Sequence, residues 1–163
     1  MQEANGLLAL HKERVQPEWI DYNGHMNVAY YVLAFDHATD AFLDHVGMGK
    51  AYFAETNCSV FTAEAHVTYE QEVKLDDPLR FETQVLGADA KRIHYFHSMY
   101  HEEQGYLAST NELMILHVDM SERRVVPMPD SVQARLGQIV ATQNALRRPA
   151  QVGRVMGLTA NRP

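Results

Sequence analysis

A change of hydrophobic period near residue 50 constrains the fold of this chain more than any other feature. Between Val28 and Val46 the apolar residues recur at helical spacing and fall largely on one face. Further along, residues 61–69 and 79–86 alternate apolar and polar residues, which is the pattern of β-strands, and two more strands are predicted after them. Strands joined by short turns pair antiparallel. The order therefore predicts an α+β fold, with one long helix packed against an antiparallel sheet.

The boundaries of these elements follow from local signals. Asn27 is a good N-cap for the long helix, and Gly47 and Gly49 end it. Pro17 ends a first strand that begins at Leu7. In residues 61–69 the odd positions are apolar, which predicts a half-buried strand. Further strands are predicted at residues 79–86, 91–101 and 106–119, and a final helix at 131–146.

The length and charge of the chain limit its organisation and its partners. The 163 residues suit one domain, which we place at residues 1–146. Residues 147–163 hold four arginines, no acid and no clear period, which is typical of a mobile basic tail. Residues 1–146 carry 10 basic and 21 acidic side chains. Such an acidic body argues against nucleic-acid binding.

Several features favour a cytoplasmic location. No run of 18 apolar residues predicts a membrane helix, so no membrane partner is expected. The first residues lack the basic region of a secretory signal. Cys58 is the only cysteine, which excludes an internal disulfide and fits a reducing compartment.

The segment before the long helix carries the strongest functional signal. The pattern Asp21-x-x-Gly24-His25-x-Asn27-x-x-Tyr30 lies between the first strand and that helix. In this place it resembles the signature of hotdog-fold acyl-CoA thioesterases of the 4-hydroxybenzoyl-CoA thioesterase type. The resemblance covers about residues 7–120 and implies a hotdog fold, in which an antiparallel sheet wraps around one central helix. It also implies an acyl-CoA substrate and no cofactor, because CoA is part of that substrate.

Three stretches show a closer resemblance. Residues 14–27, His37-Ala38-Thr39-Asp40 and Ala90-Lys91-Arg92 look like the thioesterases of bacterial carnitine degradation, including those fused to carnitine dehydrogenase. That subgroup is implied to hydrolyse betainyl-CoA to glycine betaine and CoA. Acyl specificity is less firmly tied to shared motifs than the chemistry is. A general thioesterase for short-chain or aromatic acyl-CoA is therefore the alternative.

Thioester hydrolysis requires an attacking group and a donor that polarises the carbonyl. Asp21 could attack directly and form a mixed anhydride, or act as general base on water. In the family that the chain resembles, the N–H seven residues beyond the aspartate faces the thioester oxygen, which is the backbone N–H of Val28 here. A helix N-terminus can stabilise an oxyanion. Gly24 would let the backbone approach the thioester. The competing interpretation is that residues 21–24 are only a turn.

The other residues of the motif have several roles open to them. His25 could orient the substrate, donate a hydrogen bond or brace the loop. Asn27 is a helix cap rather than a catalyst, although related enzymes use polar side chains at this position. Tyr30 is expected to pack at the helix start with its hydroxyl near the site. Trp19 and Tyr22 could face a cationic betainyl group, or simply be packed or exposed aromatic residues.

Carboxylates and cations outside the motif give weaker signals. Asp36, Asp40 and Glu64 are alternative catalytic carboxylates, for which a solvated role is favoured. Lys91 and Arg92 lie where the resembling enzymes place CoA phosphate contacts, although an ordinary charged turn explains them equally well. The nine histidines show no metal-binding spacing, and His94 and His97 fall on opposite faces of a strand. We expect no catalytic metal.

The predicted sheet has edges that need protection, so we expect a homodimer. In the family the sheets of two protomers join, with the active sites between them, and tetramers are common. The sequence does not choose between dimer and tetramer. Two other functions remain open on the same fold, a non-catalytic acyl-CoA binding module and a hotdog dehydratase. The presence of Asp21 disfavours the first, and the histidine–carboxylate pattern of the second is not seen.

Overall fold

One antiparallel sheet and a long helix on one of its faces make up the core of the protein. The computed structural model describes residues 6–158. The strands are β1 (Leu8–Arg14), β2 (Cys58–Tyr69), β3 (Pro78–Ala88), β4 (Arg92–His101), β5 (Leu107–Asp119) and β6 (Arg124–Val125); the helices are α1 (Val28–Val46), α2 (Lys50–Thr56) and α3 (Asp130–Gln143). The strand order is β1-β3-β4-β5-β2, and β6 pairs with β5. The predicted hotdog architecture is confirmed.

The long helix α1 has the predicted boundaries. The Asn27 side chain caps it by accepting a hydrogen bond from the Ala29 N–H. Gly47 ends it in the left-handed conformation with φ +87°, which glycine adopts without steric cost. The aromatic residues of its buried face pack on the concave face of the sheet, Phe35 on Phe81 and Phe42 on Tyr95. The helix and the sheet thus enclose two neighbouring hydrophobic clusters, one around Phe42 and Tyr95 and one around Phe35 and Phe81.

Strand β2 departs from the alternation predicted for residues 61–69. Its register against β5 shifts between Thr62 and Glu64, so that Phe61 pairs with Leu116 while Ala65 pairs with Leu113. One extra residue at a bulge turns the following side chains to the other face, so the odd positions do not share a face along the whole strand. The prediction that one face of this strand is buried is also wrong within a single chain. Phe61 and Tyr69 are about half exposed, at 49% and 50%, because β2 is an edge strand.

Other differences concern short or terminal elements. The sequence pattern missed α2 and β6, and it placed the end of α3 three residues too late. Helix α2 buries none of its residues, so it has no apolar periodicity to detect. The described part of the basic tail lies against the sheet, where the Gly153 N–H donates to Glu112 Oε2. Its mobility stays a prediction. None of the described helices has the length and apolar character needed to span a membrane.

Candidate active site

The segment before α1 folds into a tight turn at the tip of a small hairpin. The Asp21 and His25 backbones are joined by a hydrogen bond, and the Gly24 N–H donates to the Asp21 carbonyl at 3.0 Å. An isolated antiparallel bridge between Ile20 and Met26 closes the hairpin. Gly24 has φ +80°, a left-handed conformation that favours glycine. The turn interpretation is therefore right as a description of the backbone, and it leaves the Asp21 side chain available for chemistry.

Two hydrogen bonds fix the Asp21 carboxylate. The Asn23 N–H donates to Oδ1 at 2.8 Å, and the Asn27 side-chain amide donates to Oδ2 at 3.2 Å. The Asn23 N–H lowers the pKa of Asp21 below its ordinary value, and the Asn27 amide and the nearby His25 lower it further, outweighing partial desolvation. Asp21 is therefore an anion with a defined orientation at neutral pH.

Asn27 connects this carboxylate to the N-terminus of α1. Its side-chain oxygen accepts the Ala29 N–H at 3.0 Å, while its nitrogen donates to Asp21. The neighbouring Val28 N–H is at the first helical position and has no intrahelical partner. Within residues 6–158 it donates to no protein acceptor. The helix end therefore offers a free donor with partial positive charge beside an ionised carboxylate.

The C-terminal side of the hairpin is held by the segment after β2. His25 Nε2 lies 3.7 Å from Glu72 Oε2, and the Met26 N–H donates to the Val73 carbonyl at 2.9 Å. Glu72 could not be found from sequence, because 47 positions separate it from His25 and no motif connects them. The contact favours a bracing or orienting role for His25, two of the three roles that the sequence left open.

The aromatic residues around the turn occupy contrasting positions. Trp19 is only 5% exposed and stacks on Tyr30, with ring centroids 5.8 Å apart. Both residues therefore pack at the start of the helix. Tyr22 is 96% exposed at the tip of the turn. Of the two aromatic residues that the sequence singled out for a cationic group, only Tyr22 has a free ring face.

Lys91 and Arg92 lie far from Asp21 within one chain. Arg92 opens β4, whereas Met99 of the same strand packs in the core cluster that contains Trp19 and Met26. The seven residues between them span about 23 Å at ~3.3 Å per residue. The Arg92 guanidinium forms an ion pair with Asp89. A single chain therefore does not bring these cations to the turn.

The alternative carboxylates have no comparable setting. Asp36, Asp40 and Glu64 are exposed. Asp36 and Asp40 lie about two and three turns beyond the start of α1, and Glu64 is in the middle of β2. His94 and His97 do face opposite sides of the sheet, since His94 pairs with Glu112 while His97 is fully buried between Thr39 and Thr83. Burial lowers the pKa of His97 to about 3, so it is a neutral part of the core.

Comparison with known sequences identifies close relatives. The thioesterase-like superfamily matches residues 15–136. A betainyl-CoA thioesterase of Pseudomonas aeruginosa is 38% identical over 152 residues, which cover 93% of this chain and 96% of that protein. An L-carnitine dehydrogenase/betainyl-CoA thioesterase of Rhizobium meliloti is 37% identical over 95% of this chain. The chain spans only 31% of that longer protein.

Solved structures resemble the fold over nearly the whole chain. A hypothetical protein from Staphylococcus aureus in complex with CoA superposes with a TM-score of 0.87 and 28% identity, covering 94% of this chain and 97% of that one. A putative thioesterase from Pseudomonas putida gives a TM-score of 0.81 and 35% identity, covering 94% and 98%. The similarity in sequence and in fold therefore covers the turn, the helix end and the sheet together.

Proposed function

The chain belongs to the thioesterase-like superfamily, and from this premise we propose that it hydrolyses betainyl-CoA to glycine betaine and CoA. Its membership and its curated relatives make it an acyl-CoA thioesterase. The choice of the betainyl group rests on the 38% identity to a betainyl-CoA thioesterase over almost the full length of both chains. We propose a cytoplasmic location, which the single Cys58 supports.

We propose that Asp21 drives the attack on the thioester carbonyl. It attacks the carbonyl carbon itself, or it removes a proton from the water that attacks. The carbonyl oxygen becomes an oxyanion, which accepts the Val28 N–H at the helix N-terminus. Collapse of this intermediate breaks the C–S bond and releases CoA as thiolate. After direct attack the acyl group remains on Asp21 as a mixed anhydride, which a water molecule then hydrolyses to glycine betaine and the free carboxylate. On the general-base route the water has already supplied the hydroxyl group of the product, and Asp21 passes the proton to the CoA thiolate. What supports these roles is the ionised, oriented carboxylate beside a free N–H.

The cationic acyl group would need an electron-rich surface near Asp21. Tyr22 is the residue we propose, because its ring is exposed at the tip of the turn. A trimethylammonium group over a tyrosine face gains about 0.5–2 kcal/mol, depending on how fully water is excluded. Trp19 and Tyr30 would support the helix start from beneath. Gly24 would keep the turn in shape.

The site is completed, in this proposal, by a second copy of the chain. Large apolar side chains are exposed at the start of α1, where they are Val28 and Val32, and on the two faces of edge strand β2, where they are Phe61 before the bulge and Tyr69 after it. Antiparallel pairing of two β2 strands about a two-fold axis would cover them and protect the open edge. It would also place the Cys58 end of one strand beside the Tyr69 end of its partner.

This pairing would bring the basic residues Lys91 and Arg92 of one protomer toward Asp21 of its partner. Arg92 is in register with Leu116 and, through it, with Phe61 near the Cys58 end of β2. Tyr69 lies at the other end, where its hydroxyl contacts the Val28 carbonyl at 3.4 Å. In the dimer, Lys91 and Arg92 of one protomer would approach the turn of the other. There they would bind the phosphates of CoA.

A substrate panel tests the acyl group. Purified protein is assayed for release of free thiol from betainyl-CoA, acetyl-CoA, butyryl-CoA and benzoyl-CoA. We expect the highest kcat/KM with betainyl-CoA, because the neutral acyl groups lack the cation that an aromatic face binds. Equal or better turnover of a neutral acyl-CoA would contradict the betainyl-CoA proposal and leave a general thioesterase. No thiol release from any of them would contradict hydrolysis itself.

A further inference from the structure

A second polar cluster lies between β1 and α1, and the proposed hydrolysis does not use it. His11 Nε2 is 3.1 Å from Glu13 Oε1, and His37 Nδ1 is 3.0 Å from Glu13 Oε2. One ligand atom from each of the three residues lies within 4.8 Å of the other two. Two imidazoles thus converge on one carboxylate.

The secondary structure explains why these residues meet. His11 and Glu13 are two apart on a strand, so their side chains point to the same face. His37 is in the third turn of α1, which packs on that face. Sequence spacing could not reveal the cluster, because its third member is 24 residues away on a different element.

The cluster is partly buried and held by aromatic neighbours. The side chains of His11, Glu13 and His37 are 23%, 15% and 38% exposed. Phe81 packs against the His11 ring and Trp19 against the His37 ring, with centroids 5.2 and 6.4 Å apart. These contacts restrict the imidazoles to orientations that face Glu13, while the exposed side of His37 leaves a way in from solvent.

The nearby cations point away from the cluster. Lys12 and Arg14 alternate to the other face of β1. The Lys12 ammonium pairs with Glu102, and the Arg14 guanidinium donates to the Asp76 carbonyl. No lysine or arginine is therefore placed by β1 among the three ligand atoms, and the net charge of the chain is −7.

We propose that His11, Glu13 and His37 bind one Zn²⁺ ion. Two imidazole nitrogens and one carboxylate oxygen are a zinc ligand set that leaves a fourth position for water. Ligand atoms of a tetrahedral zinc site lie about 3.3 Å apart for bonds of ~2.0–2.1 Å. The nitrogen–oxygen separations of 3.1 and 3.0 Å, one to each oxygen of Glu13, are near this value, and one ligand atom of each residue lies within 4.8 Å of the other two, so small side-chain movements would bring all three onto one ion. Binding needs His11 Nε2 and His37 Nδ1 free of protons, so each ring carries its proton on the other nitrogen. The site is independent of the proposed function and takes no step in hydrolysis.

Calorimetric titration of ZnCl₂ into chelator-treated full-length protein tests this site. We expect one ion per chain, and a Co²⁺ titration is expected to give the visible absorption of a tetrahedral complex. Glu13→Gln and His37→Gln should each weaken binding more than tenfold, since loss of even an outer-shell partner costs about 10–100-fold. His37→Gln replaces a partly exposed helix residue, so it decides the question if Glu13→Gln does not fold.

The matched control is His94→Gln, which breaks another half-buried histidine–carboxylate pair. His94 Nε2 lies 2.8 Å from Glu112 Oε1, and His66 is opposite Glu112 on the neighbouring strand, but among residues 6–158 only His11, Glu13 and His37 bring three possible ligand atoms within 4.8 Å of one another. Its zinc affinity should equal that of the wild type. Absence of zinc binding by the wild type would overturn the proposal, because the cluster would then be a hydrogen-bonded His–Glu–His triad. Unchanged binding by His37→Gln would also overturn it.

Discussion

At the scale of single residues, Asn27 performs two tasks with one side-chain amide. Its oxygen accepts the Ala29 N–H and so begins α1, and its nitrogen donates to Asp21. The two ends of the amide therefore tie the position of the carboxylate to the position of the helix. The sequence identified the cap from the residue type, but it could not show the contact with Asp21, which depends on the path of the hairpin.

Replacing Asn27 separates the two tasks. Asn27→Ala removes both contacts and should lower the free energy of unfolding by about 1 kcal/mol. Asn27→Ser keeps a capping oxygen, so its stability should stay near that of the wild type, but its short hydroxyl does not extend to the position of the amide nitrogen that donates to Asp21. Both variants should lose thioesterase activity to a similar extent, because both release the carboxylate. Urea denaturation and thiol-release assays measure the two effects, and full activity of Asn27→Ser would contradict the role of the amide.

At the scale of elements, the N-terminus of α1 is the structure that gives the turn its proposed chemistry. Helix formation leaves the Val28 N–H without an intrahelical acceptor, and the cap directs the helix end toward Asp21. The carboxylate and the donor thus come from adjoining segments of chain. In the proposed site both groups come from one short segment of chain, so the motif alone was enough to suggest them.

Val28→Pro removes this donor with little disturbance to the helix. Proline is favoured at the first helical position, and Asn27 already has φ −66° and ψ 146°, which a following proline tolerates. Loss of an oxyanion donor costs about 10²–10³-fold in kcat. Val28→Ala shortens the same exposed side chain but keeps the N–H, so it should retain activity. Equal activity of the two variants, with equal helix content by circular dichroism, would contradict the proposed oxyanion site.

The sequence predicted local elements better than long-range relations. Helix α1 was found with its caps because 19 residues repeat one period between strong start and stop signals. The bulge at Thr62 and Glu64 was missed, since an extra residue in one strand is visible only against the register of its partner. The contacts of His25 with Glu72 and of His37 with Glu13 were missed for the same reason.

At the scale of the whole molecule, the β2 edge of the sheet has no pairing partner within the described part of the chain. Twelve residues of strand end the sheet on this side, and the apolar side chains near it are exposed. Pairing with a second copy would cover this surface, and it would bring Lys91 and Arg92 toward a turn that they cannot reach within one chain. The oligomer and the CoA site are therefore linked in this account.

A charge in the middle of β2 should disrupt both the dimer and the CoA site. Ala65 is exposed on β2, and Ala65→Lys would place two like charges close together across a two-fold axis. We expect the variant to be monomeric by light scattering after size exclusion, with much reduced thioesterase activity. Ala9→Lys makes the same change at an exposed position of the opposite edge strand and should leave a dimer. A wild-type chain that is monomeric and fully active would refute the shared site.

The central claim is that Asp21 carries the hydrolysis, and one comparison of kcat/KM for betainyl-CoA tests it most directly. Asp21→Asn preserves the shape of the side chain but removes the nucleophile or base, so the rate should fall by at least about 10²–10⁴-fold. Asp36→Asn makes the same change at an exposed carboxylate of α1 and should stay within a few-fold of the wild type. With both variants folded, a wild-type rate for Asp21→Asn, or a collapse for Asp36→Asn alone, would contradict the account.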